Sequence, residues 1–409
     1  MSGQGLVEAA GPDVSGRSDG ARIRLSLLLT LALLGALAPI ATDLYLPGFP
    51  AIASDLGSDA SGVQLTLTTF LVGLAVGQVV MGPLSDRYGR RWPLVVSAAV
   101  CVLAGVASAL APNLPVLIAA RLAQGLSGAG GMVIGRAVIA DLVTGRAAAK
   151  AFTLMLTVGG VAPVLAPLVG GLLSDPIGWR GMLWTVTGLC VVMLLAVLVV
   201  VPETRPRASR GQADAVPYRM SARRVLTSRG YWGNTAVFAL AFGVMMAYIS
   251  SSPFVYQHVL GLSEVEYGVA FGVNAAGLIG TGAVVSRVVD FVSPRRIVST
   301  ALALQLTATL SFVLLVAVGA PAWIYAVAIF LAVLSNGGIV GTSAALAMSH
   351  VREVAGTGSA LMGFSQFALG ALVSPLVGLG GEESALVPAV VMACASVLAF
   401  TASRLARRT

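Results

Sequence analysis

Twelve predominantly apolar stretches run through this chain, at 23–44, 63–82, 93–111, 114–137, 147–173, 181–201, 230–256, 265–286, 296–318, 321–348, 356–378 and 385–403. Each is close to the length of about 20 residues that one helix needs to cross a bilayer. The composition agrees, with 57% hydrophobic and 10% charged residues and a mean hydropathy of +0.91, far from the roughly half-apolar, quarter-charged balance of soluble domains. In lipid every backbone donor and acceptor must be satisfied within the span, which leaves helices or closed barrels. Barrel strands are short and alternate in polarity, whereas these stretches are long runs of Leu, Val and Ala. The chain therefore reads as an all-α membrane protein of twelve transmembrane helices.

Charge fixes the expected orientation. With both termini in the cytoplasm, Arg87, Arg90, Arg91, Arg146, Lys150, the arginines of 205–229, Arg287, Arg295, Arg296, Arg352 and Arg404 all fall on the cytoplasmic side. Asp55, Asp59, Asp175, Glu264, Glu266, Glu382 and Glu383 fall on the other, with Arg180 the basic exception. This follows the positive-inside rule and argues for a multi-pass protein of the inner (plasma) membrane. The net charge of +8 is spent in these short joints, so nucleic acid is not an expected partner. Arg22, Arg24 and the run Ala36-Leu37-Ala38 imitate a cleaved signal peptide. Pro39 would follow the cut directly, however, and an odd number of crossings would reverse the charge pattern. Cys101, Cys190 and Cys394 lie inside apolar stretches without a pairing pattern and read as small packing residues.

The longest polar interruption, 202–229, is rich in Arg and carries Pro202, Pro206 and Pro217. It divides the chain into a tail (1–21), a six-helix half (22–201), a cytoplasmic linker (202–229), a second six-helix half (230–405) and a short tail (406–409). Segments echo across the linker. Residues 82–91 have a worn counterpart in 286–296, which keeps Asp290, Arg295 and Arg296, and Ala166-Pro167-Leu168-Val169-Gly170-Gly171 reappears as Ser374-Pro375-Leu376-Val377-Gly378. Two echoes at nearly one offset predict duplicated, pseudo-symmetric halves.

Four groups of residues carry chemistry. Gly82-Pro83-Leu84-Ser85-Asp86-Arg87-Tyr88-Gly89-Arg90-Arg91 is expected to form a short turn between two helices. Its glycines permit a tight reversal, Asp86 faces a helix N-terminus or an Arg, and its arginines stay in the anionic interface. Arg121, ahead of Gln124 and Gly125, puts a guanidinium into an apolar helix at about 2.5–3.5 kcal/mol on insertion scales, so it either finds a partner inside or snorkels to the outer surface. Below it, Gly125, Gly128, Gly131 and Gly135 make a small-residue face. Asp43, in Thr42-Asp43-Leu44-Tyr45-Leu46-Pro47-Gly48-Phe49-Pro50, is the acidic side chain of the first crossing. Burial disfavours the charged form of a carboxyl, so a sheltered Asp43 would load and release a proton; a helix-end Asp43 in water would not. Gly159, Pro163, Pro167 and Gly170 predict a fifth helix that kinks and packs closely, although Pro and Gly are common in membrane helices generally.

These motifs resemble those of the major facilitator superfamily. Residues 82–91 are similar to its signature loop, matching Gly82, Asp86, Arg87, Gly89, Arg90 and Arg91, which implies a latch for the outward-facing state. Arg121 and Gln124-Gly125 resemble its fourth-helix motif, implying proton coupling. Ala162-Pro163 resembles the antiporter motif of its proton-driven exporters, with Ala162 where that motif carries Gly. Together with residues 42–50, Gly178-Trp179-Arg180 and Pro202-Glu203-Thr204, they look like the Bcr/CflA branch of multidrug and bicyclomycin-type exporters. The resemblance implies the major facilitator fold and a monomeric drug:proton antiporter that exports small, lipophilic, drug-like compounds such as antibiotics by alternating access. Asp43, Arg121 and Gln124 would couple the proton. Tyr45, Tyr248, Asn274, Asn336 and Gln366 would line the cavity, or else serve as interhelical hydrogen-bonding residues.

Other classes fit less well. Proton-coupled uptake of a metabolite in the same fold would call for several charged groups in the crossings, and few are present. A Walker A loop needs Gly-Lys-Ser/Thr, yet the sole lysine, Lys150, lies between alanines. His258 and His350 are isolated. No enzyme activity, cofactor or metal is expected.

Overall fold

Helices account for almost all of the computed structural model, which describes residues 24–143, 145–204, 225–351, 354–381 and 384–405. The expected tails, most of the linker (205–224), Arg352, Glu382 and Glu383 lie outside the described residues. In chain order the helices are α1 (Leu25–Asp43), α2 (Phe49–Asp55), α3 (Ala60–Tyr88), α4 (Arg91–Ala109), α5 (Leu114–Leu142) and α6 (Gly145–Val200), then α7 (Arg229–Phe254), α8 (Glu264–Val288), α9 (Pro294–Ala317), α10 (Ala322–Ser349), α11 (Ala355–Gly378) and α12 (Leu386–Leu405). Helix starts are chemically marked. The side chains of Asp59, Asn113 and Ser228 accept from the first-turn amides of Gly62, Val116 and Tyr231, and Ser263 with Glu266 forms a reciprocal capping box, satisfying amides that the helix itself leaves unbonded.

Eleven of these helical spans are long and apolar enough to cross a membrane. The twelfth crossing is inside α6, whose 56 residues are interrupted by Gly178 at φ 61°, ψ −178°. At 1.5 Å per residue a helix of that length would extend about 84 Å, far beyond one hydrocarbon core. Its neighbours show that it folds back. The first arm meets Gly35 through Met155 and Leu44 through Gly170; past the break, Thr187 meets Gly105 and Leu198 accepts from Arg91.

Packing repeats between the two sets of six spans. In the first, α3 packs on α5, α5 on α4, the first arm of α6 on α1 and its second arm on α4; in the second, α8 packs on α10, α10 on α9, α11 on α7 and α12 on α9. The backbone approach repeats too: a Cβ at Gly125 would fall on the Phe70 carbonyl, and one at Gly337 on the Leu278 carbonyl. The sets meet mainly along α3 with α11 and α6 with α8.

Three local expectations need correction. The first crossing does not end near residue 44, because Leu46–Gly48 forms a 3-10 turn and α2 carries the span on to Asp55. Pro47 and Pro50 permit this, since a first helical turn does not use their missing N–H. Residues 82–88 are not a turn but the end of α3, with Pro83 inside the helix; the reversal is made at Gly89, φ 91°. Arg90 does not stay in the interface; it is buried, 6% exposed. Separately, the non-helical residue described within α6 is Gly178, beyond Pro163 and Pro167.

Candidate functional site

Charge is concentrated where α3 meets α4, at what is here termed the basic end of the bundle. The Arg90 guanidinium reaches Asp86 at 2.6 Å, Asp141 of α5 at 2.9 Å and the Ser85 hydroxyl at 2.8 Å. Burial alone would lower its pKa, but the hydrogen bond and charge of Asp141, then those of Asp86, outweigh it and raise the pKa above the usual value. Glu203 accepts from the backbone N–H of Arg90 at 2.9 Å and of Arg91 at 3.4 Å, a carboxylate set on the N-terminus of α4 where the helix dipole favours it. Thr204 donates to Asp141 at 3.0 Å. Arg87 stacks on Tyr88. Residues 82–91 and Pro202-Glu203-Thr204 thus form one clasp around Arg90. Asp141, unnoticed in the sequence, is a principal partner; a carboxylate in the last turn of a membrane helix was its signal.

Toward the opposite, acidic end, Arg121 is wholly buried, 0% exposed. Its Nη1 donates to Gln124 Oε1 at 2.6 Å and its Nη2 to the Ala41 carbonyl at 2.9 Å. The rings of Tyr45 and Phe70 lie on it, each centroid 4.4 Å away. Snorkelling is excluded. The guanidinium is held by a carbonyl, an amide and two aromatic faces, and Nε has no partner among the described residues. Gly125 lets α3 approach through the Phe70 carbonyl, and Gly131 and Gly135 face Leu34 and Leu31 of α1.

Asp43 closes α1 and is 3% exposed. It does not project into the external medium, because the span continues past it through the 3-10 turn and α2, where Leu46, Pro47, Phe49 and Ile52 are all buried. The Thr42 hydroxyl donates to it at 2.9 Å. None of the described ion pairs joins it to Arg121, which instead holds the carbonyl two residues earlier. The turn that follows Asp43 contacts α7 and α8 of the other six-span set. Asn274 donates to the phenol oxygens of Tyr248 and Tyr256 at 2.9 and 3.0 Å, and Tyr267 shares a 3.0 Å hydrogen bond with Ser252. Tyr45 is bonded to Thr66 at 3.0 Å. These tyrosines are buried and bonded. Asn336 is buried in α10 with its amide 3.5 Å from the Ala332 carbonyl, and Gln366 is half-buried in α11.

The two sets are sealed together at this acidic end. Gln64 donates to the Ser250 carbonyl and Gln257 to the Pro47 carbonyl, both at 3.0 Å. A Cβ at Gly171 would strike the Glu264 carbonyl, one at Gly268 the Pro167 carbonyl, and one at Gly378 the side chains of Gln64 and Ser61. Gly170 abuts the Leu44 carbonyl, whereas Gly159 has open space beside it. Arg180, the outlying cation, is paired with Asp55, which also accepts from Trp179 at 3.2 Å.

The model of the Major Facilitator Superfamily matches residues 31–375. The chain belongs to this superfamily. Its members are transporters, not enzymes, and the all-helical fold agrees. A superfamily relative from Bacillus subtilis, an uncharacterized transporter termed YdgK, is 33% identical over 367 residues, covering 89% of this chain and 91% of its own. A bicyclomycin resistance protein homolog from Haemophilus influenzae is 28% identical over 355 residues, covering 86% and 88%. Among solved superfamily structures, a D-xylose–proton symporter superposes with a TM-score of 0.74 at 16% identity, covering 93% of this chain and 96% of that one, a likeness of fold.

Proposed function

We propose that this transporter is a proton-coupled exporter of small lipophilic compounds such as antibiotics, working by alternating access, with the basic end and both termini in the cytoplasm. The observation that carries this reading is the placement of Asp43: a carboxyl shut away from water, four residues before the Pro47 carbonyl that Gln257 of the opposite set binds. A carboxyl so placed is stable neutral and unstable charged. Opening the acidic end would let it exchange a proton with the outside, and closing would favour the protonated form. Release into the cytoplasm would follow once cargo or solvent reached it from the basic end. At 100 mV one inward charge supplies about 2.3 kcal/mol.

Arg121, fixed on the Ala41 carbonyl, holds the end of α1 in register beside Asp43, and Gln124 orients Arg121. The clasp around Arg90 sets the balance between the outward and inward states. The bicyclomycin-type relative supports a drug-like cargo, as do the apolar spans. The test is Asp43→Asn in proteoliposomes. Wild type should release protons in response to a lipophilic antibiotic and the variant should not, while still binding it. Unchanged proton movement in the variant would refute the scheme.

A further inference from the structure

Arg136 is a second intramembrane guanidinium, about 9 Å inside the basic end of α5 by helical rise, and none of the described ion pairs includes it. Around α5, Gly130 meets Ser97 of α4, Ala129 meets Gly77 of α3, and Gly131 and Gly135 meet α1. The remaining face, with Met132 and Arg136, turns between α1 and α3 toward the second six-span set. Gln78 of α3 marks the same place, since it faces both Arg136 and Gly363 of α11. Arg136 is exposed. It donates through Nε to the Met132 carbonyl at 2.9 Å and through Nη2 to Gln78 Oε1 at 3.3 Å. Nη1 has no partner among the described hydrogen bonds. The buried Gln78 amide nitrogen sees only the Met132 sulfur at 3.9 Å, a weak acceptor.

We infer that Arg136 and Gln78, where α5 and α3 face α11, form an anion-binding subsite that captures the carboxylate of amphipathic organic acids. A guanidinium fork matches a carboxylate in two parallel hydrogen bonds, Gln78 Nε2 adds a neutral donor, and Met132 gives the acid's apolar body a deformable wall. A cation held within a membrane span with no ion-pair partner among the described residues is unfavourable until an anion joins it, so an acid gains where a neutral isostere does not. The acidic end is sealed by the Gln64 and Gln257 hydrogen bonds, so cargo enters from the Arg136 side. This deepens the exporter reading by giving its cargo a charge.

The test is equilibrium dialysis of the purified full chain in detergent against 2-naphthoate, 4-phenylbenzoate and nalidixate, each paired with its alkyl ester. Wild type should bind at least one acid about tenfold more tightly than its ester, the factor that 1.4 kcal/mol represents. Arg136→Gln should abolish that ratio, and Arg136→Lys should keep part of it by retaining the charge without the fork. Equal affinity of wild type for acid and ester throughout, no binding of any acid, or a ratio unchanged in Arg136→Gln would each overturn the inference. Should Arg136→Gln not fold, the wild-type ratio and the Arg136→Lys protein decide alone. No proton gradient is used, so failure here is separate from failure of the exporter reading, which rests on proton flux through Asp43.

Discussion

The two six-span sets share one skeleton but not one chemistry. In the first, the joint between α3 and α4 locks Arg90 among Asp86, Asp141 and the Ser85 hydroxyl. In the second, the matching joint between α8 and α9 holds Asp290, Arg295 and Arg296 on the surface with no ion pair among the described residues, and Phe291 is 89% exposed. Buried ionisable groups, Arg121 and Asp43, likewise belong to the first set, while the second offers Asn274 and a group of tyrosines. Duplication preserved what packing demands, such as the Gly125 and Gly337 crossings, and let charge concentrate on one side. In the proposed scheme the consequence is a division of labour: proton handling and state balance in α1–α6, a largely neutral wall in α7–α12.

The largest test of that asymmetry is Arg90→Ala. Removing this buried guanidinium breaks its bonds to the partly exposed Asp86 and Asp141 and to Ser85 together, about 3 kcal/mol in all, so thermal unfolding in detergent should show a large drop in midpoint. Arg295→Ala, its counterpart, should move stability by no more than about 0.5 kcal/mol; equal drops would end the comparison. The shared skeleton is tested by Gly125→Val and Gly337→Val, each of which drives a side chain into a carbonyl of the neighbouring helix. Both should lose about 3 kcal/mol or fail to accumulate, in step with one another, and tolerance of one alone would mean that the halves pack differently. Asn274→Ala is the smallest change. It strips the Tyr248 and Tyr256 phenols of one bond each, for about 2 kcal/mol, and should lower the unfolding midpoint while drug-stimulated proton release persists; lost coupling would move proton handling into the second set as well.

Much of this was legible in the sequence because a bilayer leaves few choices. Ends of the later spans fall within a few residues of the apolar runs, since hydrophobic length and backbone satisfaction fix them together. Arg121 announced itself as a charge that needed internal partners, and it has them. What stayed hidden depended on the third dimension. Asp43 could be read as a sheltered carboxyl or as a helix-end residue in water, and only the continuation of its span through α2 decides for shelter. Asp141 and Arg136 were lost among the charges near span ends, where side-chain direction, not position, separates a structural partner from a surface charge. Cys101 and Cys190, far apart in the chain, meet sulfur to sulfur at 3.5 Å because the second arm of α6 returns along α4, a meeting that no spacing rule reveals.

That return at Gly178 also governs how the molecule can move. A hairpin with a single non-helical residue at its bend has no slack, and its tip is tied by the pairing of Arg180 with Asp55. In the proposed alternating-access cycle, tilting the arm that rests on α8 drags the arm that rests on α4, and displacement between the two sets falls to the contacts of α3 with α11 and α6 with α8.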